Sequence, residues 1–350
     1  MNQALLNDHS RLRYDALIGV GGIGAGSFFQ FNGNQTLGRE ENRAGRFLNQ
    51  RDYCKLYIIV QNFSSLLGPE FPAILLGRVG DDDPGRRLIA ELRTAGLDVR
   101  HVELCPGEQT MFSICFLYPD GGRGNLTTED SACSRVDATF VERARPDFVR
   151  YRDRGIALAA PETPLESRAA LLRLATEHGF FRAAAFNSLE VPFAMAEELL
   201  FQVDLLALNR SEAEAALEIA PGELDAPELA VRTIDRLKRD YPRLQLSITA
   251  GASGSWFWDG NDMHFSPALA VPVKTTAGAG DAHLGALLAG IAAGLSTRQA
   301  CRLAVLMAAY SVTSPHSIHP DLDGDLLRKF AAQFDAGLLE ECDGLKTLSA

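Results

Sequence analysis

From about residue 154 onward the chain alternates two patterns. Short apolar runs, RGIALAA (154–160), FRAAAFN (181–187), DLLALN (204–209) and LQLSITAG (244–251), read as buried strands. Between them lie ESRAALLRLATEHG (166–179), FAMAEELLFQ (193–202), SEAEAALEIA (211–220) and LAVRTIDRLKRDYP (229–242). Their apolar residues recur every three or four positions, which predicts helices. Strand–helix alternation of this kind implies an α/β fold: a mostly parallel sheet with helices on both faces.

The first half is less regular. YDALIGV (14–20) reads as a strand, and GGIGAGSFFQFNGNQTLG (21–38), glycine-rich and aromatic, as turns and short strands. Residues 39–68 carry apolar side chains at mostly helical spacing and end in Gly-Pro, which predicts a helix. FPAILLGRVG (71–80) reads as a strand. Residues 83–99 read as a helix, with Pro84 near its start and Gly96 at its end. Residues 100–118 alternate enough for strands, and PDGGRGN (119–125) is a turn. The segments at about 24–38 and 100–128 are therefore expected to form a small β-sheet attached to the core. No linker or repeat divides the chain, so residues 1–350 are expected to be one α/β domain.

Composition narrows the class. Apolar residues are 46% and charged residues 23%, ordinary for a folded globular chain. The formal charge of −11 disfavours nucleic acid and anionic membranes as partners. The six cysteines, Cys54, Cys105, Cys115, Cys133, Cys301 and Cys342, form no C-x-x-C pair, so free thiols in a reducing cytoplasm are expected. MNQALLNDHSRLR lacks the apolar core of a signal peptide. GALLAGIAAGL (285–295) is too short to span a membrane and reads as a buried helix.

Candidate chemistry concentrates in VPVKTTAGAGDAHLGALLAGIAAGL (271–295). Gly278, Ala279 and Gly280 precede Asp281 and a long run of helix formers. Small residues let a ligand approach the backbone, and a helix start offers free N–H groups and partial positive charge. Together they make a cradle for a phosphoryl oxygen, with Asp281 beside it. A carboxylate suffices as base there, because the attacking oxygen has gained little bonding in a loose phosphoryl-transfer transition state. Equally, an aspartate at this position is a good helix cap.

The TTAGAGD segment resembles the G-A-G-D signature of the ribokinase-like, or PfkB, carbohydrate kinase family, matching at Thr276, Gly278, Ala279, Gly280 and Asp281 and departing at Thr275. The resemblance implies an anion hole at Gly278, Ala279 and Gly280, a catalytic base at Asp281, and Thr276 on the nucleotide side. Three further segments follow the family's order. GRVGDDDPG is similar to its G-x-x-G-x-D-x-x-G loop at Gly77, Gly80, Asp82 and Gly85. Asn209 and Glu212 are similar to its N-x-x-E element, which orders water around Mg2+ with no direct protein–metal bond; the same pair also reads as a helix capping box. Thr249, Gly251 and Gly254 are similar to its T-x-G-x-x-G nucleotide turn, and also read as a plain hairpin turn.

The acceptor end matches less well. LGREENRA aligns with the family's G-G-x-x-x-N-x-A at Gly38, Asn42 and Ala44, which implies a hydroxyl ligand at Asn42. No counterpart to the family's opening acceptor-binding aspartate stands near Gly24 or Ala25. AAPETPLES places Glu162 near the sugar by resemblance, or at a solvated helix start. Arg39 and Arg43 either receive an anionic group of the acceptor or pair with Glu40 and Glu41. Arg123 either closes over the acceptor or is an ordinary exposed arginine. The resemblance implies a ribokinase-like fold with a small-sheet lid, often a dimer interface. It also implies ATP and Mg2+ as cofactors and transfer of the γ-phosphate to a hydroxyl of a sugar-like acceptor. A nucleoside kinase of the same fold and a non-catalytic binding member are the alternatives; the latter is expected to lose the aspartate, which this chain keeps.

Gly19, Gly21 and Gly24 spell G-x-G-x-x-G after a strand, with Glu40 at a distance suited to a Rossmann ribose ligand. AGSFFQFNGNQ is no amphipathic helix, so this reading is set aside. No P-loop motif occurs. His264, His283, His316 and His319 lack metal-ligand spacing.

Overall fold

A computed structural model describes residues 5, 6, 12–322, 324–335, 337 and 338. Cys342 lies outside the described residues. Apolar runs too short for helices pair side by side into the large sheet, and the intervening amphipathic segments pack over them.

The strands are β1 (Ala16–Val20), β2 (Gly24–Phe31), β3 (Gly45–Tyr53), β4 (Ala73–Gly80), β5 (Asp98–Cys105), β6 (Met111–Leu117), β7 (Arg123–Thr127), β8 (Gly155–Ala159), β9 (Phe181–Ala185), β10 (Leu205–Asn209), β11 (Gln245–Thr249), β12 (Ser255–Trp258) and β13 (Met263–Ser266). The helices are α1 (Lys55–Leu67), α2 (Asp83–Thr94), α3 (Ala138–Glu142), α4 (Arg145–Arg150), α5 (Leu165–Glu177), α6 (Glu190–Ala196), α7 (Arg210–Leu217), α8 (Ala226–Asp240), α9 (Ala279–Ala292), α10 (Thr297–Ser311) and α11 (Gly324–Phe334).

Nine strands form the large sheet in the order β13-β12-β11-β10-β9-β8-β1-β4-β5. All neighbours from β11 to β5 are parallel, and β12 and β13 add an antiparallel edge. Every residue of β1 and β8 is buried, as a sheet covered on both faces requires. Side chains alternate between two cores. Leu17, Ile156 and Leu158 pack with α1, α9 and α10, while Ile18, Val20 and Ala157 pack with α3, α5 and α8. This is the mostly parallel α/β sheet expected from the sequence.

A separate four-stranded sheet runs β3-β2-β6-β7. Its composition corrects two expectations. Residues 45–53, read as the front of a helix, form β3, and the helix begins only at Lys55. Pairing with β2 overrides the local apolar spacing there, because the spacing that signals α1 runs on upstream by coincidence. Residues 98–105, with 98–99 read as helix end and 100–105 as small sheet, are instead the edge of the large one, paired with β4. The helix read at 193–202 stops at Ala196, and Glu198 in a left-handed conformation separates it from a short turn of helix at Leu199–Gln202.

Among the described residues, Cys54, Cys105, Cys115, Cys133 and Cys301 are free thiols. No described helix is long and apolar enough to cross a membrane. The G-x-G-x-x-G segment leads from β1 directly into β2, so no helix starts over its glycines.

Candidate active site

The carboxyl ends of β10 and β11, the start of α9 and the start of α1 meet around one cleft. It is a narrow cleft of about 40 Å³, lined by Lys55, Ala185, Asn209, Glu212, Thr249, Gly280, Asp281 and His283, among others. Clefts at strand carboxyl ends are where α/β sheets bind ligands.

Gly278 caps α9 in a left-handed conformation, φ 78°. A side chain there would also collide with the Ser317 carbonyl, so two constraints require glycine. The first turn of α9 leaves the Gly280 and Asp281 amides without intrahelical acceptors, and both residues line the cleft. The nearest atom to a Cβ added at Gly280 would be the Thr249 hydroxyl, at 3.6 Å. The nucleotide turn and the anion hole predicted from sequence are therefore side by side.

Asp281 keeps partial exposure to the cleft. Burial pushes its pKa up to about 7; the Lys55 ammonium opposes this, and Glu162, Glu212 and Asp52 add to it. His283, two residues on, is driven down to about 4 by burial and is neutral, with its Nε2 3.3 Å from the Ser255 hydroxyl.

Asn209 and Glu212 form the capping box read from the sequence. Asn209 Oδ1 accepts from the Glu212 amide at 3.0 Å, and Glu212 Oε2 accepts from the Asn209 amide at 2.8 Å, a complete capping box. The other carboxylate oxygen faces the cleft, where it accepts from Lys55 Nζ at 3.1 Å. Among the described residues no three potential ligands cluster as a direct metal site. One outward carboxylate oxygen fits a hydrated divalent cation held through water.

The nucleotide turn is split. Thr249 lines the cleft, but Gly251 and Gly254 do not. Gly254, at φ 97°, is needed by the hairpin itself, since a side chain there would meet the Ser266 carbonyl at 2.6 Å. Thr276 accepts a hydrogen bond from the Arg123 guanidinium, so the first residue of β7 touches the loop that leads into the anion hole.

At the acceptor end, Glu162 is brought in. It adopts φ 75°, covers Gly22, and accepts from the Lys55 amide at 3.1 Å. Its carboxyl pKa is raised by burial against the opposing charge of Lys55, which overturns the solvated helix start. Gly38 and Asn42 are not brought in. They sit exposed in the loop joining β2 to β3, beyond the end of β2 opposite Gly24. Gly24 adjoins Cys54, next to Lys55; the seven residues from there to Phe31 span about 23 Å at strand rise. Arg43 in this loop pairs with Glu41, so the acid-receiving role considered for it has no support.

Two residues escaped the sequence reading. Lys55 is the only cation lining the cleft among the described residues. Burial works to lower its pKa, but Glu212, Asp281 and Glu162 outweigh it and raise the value. Asp52 stands opposite Gly26, which in turn stands opposite Ser113. Its carboxylate takes hydroxyls from Ser317 and Ser113, and burial raises its pKa. The available signal was three charges within RDYCK, set against the apolar LYIIV run.

Residues 61–323 match the family described as pfkB family carbohydrate kinase. The chain is 31% identical over 251 residues to the 2-dehydro-3-deoxygluconokinase of Thermoproteus tenax, covering 68% of this chain and 73% of that protein. It is 28% identical over 267 residues to the 2-dehydro-3-deoxygalactonokinase of Haloferax volcanii, with 71% and 78% covered. Its fold is similar to that of a ribokinase from Cryptococcus neoformans solved with ADP, at TM-score 0.73 and 17% identity, covering 90% of this chain and 99% of that one.

Proposed function

This chain belongs to the pfkB family of carbohydrate kinases, and from that premise we propose that Asp281 is the base of its phosphoryl transfer. As a carbohydrate kinase it phosphorylates a hydroxyl of a sugar-like molecule with ATP. The supporting observation is the position of Asp281 in the first turn of α9, beside free amides and within the cleft that holds Asn209, Glu212 and Thr249.

The acceptor hydroxyl attacks the γ-phosphorus as its proton passes to the Asp281 carboxylate. The bond to the bridging oxygen breaks and ADP leaves. The amides that follow Gly278, with Ala279 and Gly280, stabilise the equatorial oxygens as charge shifts. Thr249, Gly251, Gly254 and Thr276 form the nucleotide side. Asn209 and Glu212 hold the water shell of Mg2+, which neutralises phosphate charge when bound. Glu162 accepts from an acceptor hydroxyl, and Arg123 closes the small sheet over it as a lid, excluding water that would otherwise hydrolyse ATP.

The lid's outer face bears the exposed Phe47, Phe112 and Leu126, which supports a homodimer formed through that face. A monomeric mass by light scattering at micromolar concentration would count against it. The chain functions as a single ribokinase-like unit in the cytoplasm, where its thiols stay reduced.

The deciding experiment couples ADP release to acceptor addition, with D-ribose, D-fructose and 2-dehydro-3-deoxygluconate as first acceptors. Acceptor-dependent turnover is expected with at least one. Asp281→Asn abolishes it while leaving ATP binding intact; a variant with undiminished turnover refutes the assigned base.

A further inference from the structure

Lys55 stands half-buried at the head of an apolar helix and is held in place on two sides. Its amide donates to Glu162 and its ammonium to Glu212, each at 3.1 Å. The side chain thus reaches from the acceptor side of the cleft to the carboxylate on the nucleotide side. Asp281 is close enough for the two charges to shift each other. Lys55 therefore lies between the base and the phosphate-side carboxylate, where the transferred group must pass.

Glu212 and Asp281 line the cleft, the nearby carboxylates of Asp52 and Glu162 act on Asp281, and Lys55 is the only cation lining the cleft among the described residues. A triphosphate entering such a surface meets repulsion unless a cation turns toward it. Helix amides carry only partial charge, and a water-shielded metal ion acts at one remove. An ammonium on a four-carbon stem can leave Glu212 for a phosphoryl oxygen without moving the backbone.

We propose that Lys55 is a further catalytic residue, whose ammonium contacts the transferred phosphoryl group opposite the Gly280 and Asp281 amides. This rests on the kinase reading of the cleft. The rival explanation is that Lys55 only neutralises Glu212.

Binding of ADP and of the non-hydrolysable ATP analogue AMP-PNP to the full chain, measured by titration calorimetry, separates the two without any acceptor. Lys55→Met weakens AMP-PNP about ten-fold and leaves ADP within about two-fold, because only the analogue carries the third phosphoryl group. Lys55→Arg keeps much of the preference. Equal effects on both nucleotides, or none on either, overturn the proposal. A double-mutant cycle supplies the kinetic counterpart. Lys55→Met lowers kcat by about the same factor in the wild-type and Glu212→Gln backgrounds, on the order of a hundred-fold. If it has no further effect in the Glu212→Gln background, Lys55 acts through Glu212 and the proposal fails. Thermal unfolding of each variant checks that folding is intact. Loss of the Asp281 assignment would appear separately, as full turnover in Asp281→Asn.

Discussion

The phosphate end and the acceptor end of this cleft are built differently. The phosphate end comes from short contiguous pieces, each set where a strand of the large sheet gives way to a helix or turn. Asn209 closes β10 and caps α7, Thr249 closes β11, and Gly278 caps α9. The acceptor end is assembled from single residues far apart in the chain. Asp52 arrives on β3, Ser113 on β6, Glu162 after β8, and Ser317 after α10. Local backbone geometry dictates the first kind of site; only tertiary pairing dictates the second.

The strongest blow to the phosphate end is Asp281→Asn, with kcat expected to fall about 10³- to 10⁴-fold. In the wild type, kcat/KM should rise with pH through about 7, as the raised carboxyl loses its proton and becomes a base. The stability effect has the opposite sense. Ionising a buried carboxyl costs most above about 7, and the cost fades as pH falls toward the ordinary carboxylate range. Asp281→Asn should therefore melt higher than wild type at pH 8, by roughly 1–3 kcal/mol in unfolding free energy, and gain less at pH 5.

Gly278→Val comes next. It forces a branched side chain into a left-handed backbone and against the Ser317 carbonyl, displacing the amides of the anion hole. A loss of about a hundred-fold in kcat is expected, with a lowered melting temperature.

The acceptor end should respond in KM. Asp52→Asn keeps the shape and its hydroxyl partners but removes a charge that would strengthen a bond to an acceptor hydroxyl bound beside Ser113 and Ser317. An increase of about ten-fold in acceptor KM is expected, with the KM for ATP unchanged. A change in ATP KM alone would move Asp52 to the other half of the site. The smallest effect belongs to Asn42→Ala, which should change acceptor KM less than about two-fold, as expected of an exposed loop substitution remote from the cleft.

This division also explains what could be read from the chain. A glycine in a left-handed cap followed by a carboxylate is a local device, so TTAGAGD exposed this helix start directly. Glu212 was legible as a cap, and the fold adds that its second oxygen faces the cleft and accepts from Lys55. Asn42 misled because its match rested on spacing alone, in a segment whose position depends on how β2 and β3 pair. Lys55 and Asp52 carried no motif: their meaning lies in neighbours more than fifty residues away, such as Ser113, Glu162 and Glu212. The same reason hid β3, since its residues become a strand only when β2 lies alongside.

Besides the joints where its strands enter and leave it, the small sheet meets the rest of the molecule at Glu91, Thr276, His316 and Ser317, and it carries Asp52, Ser113 and Arg123. On the roles proposed above, acceptor preference is shared between this detachable layer and Glu162, which follows β8 of the large sheet. A chimaera that takes residues 24–53 and 111–127 from another family member should therefore move its acceptor KM only part of the way toward the donor's.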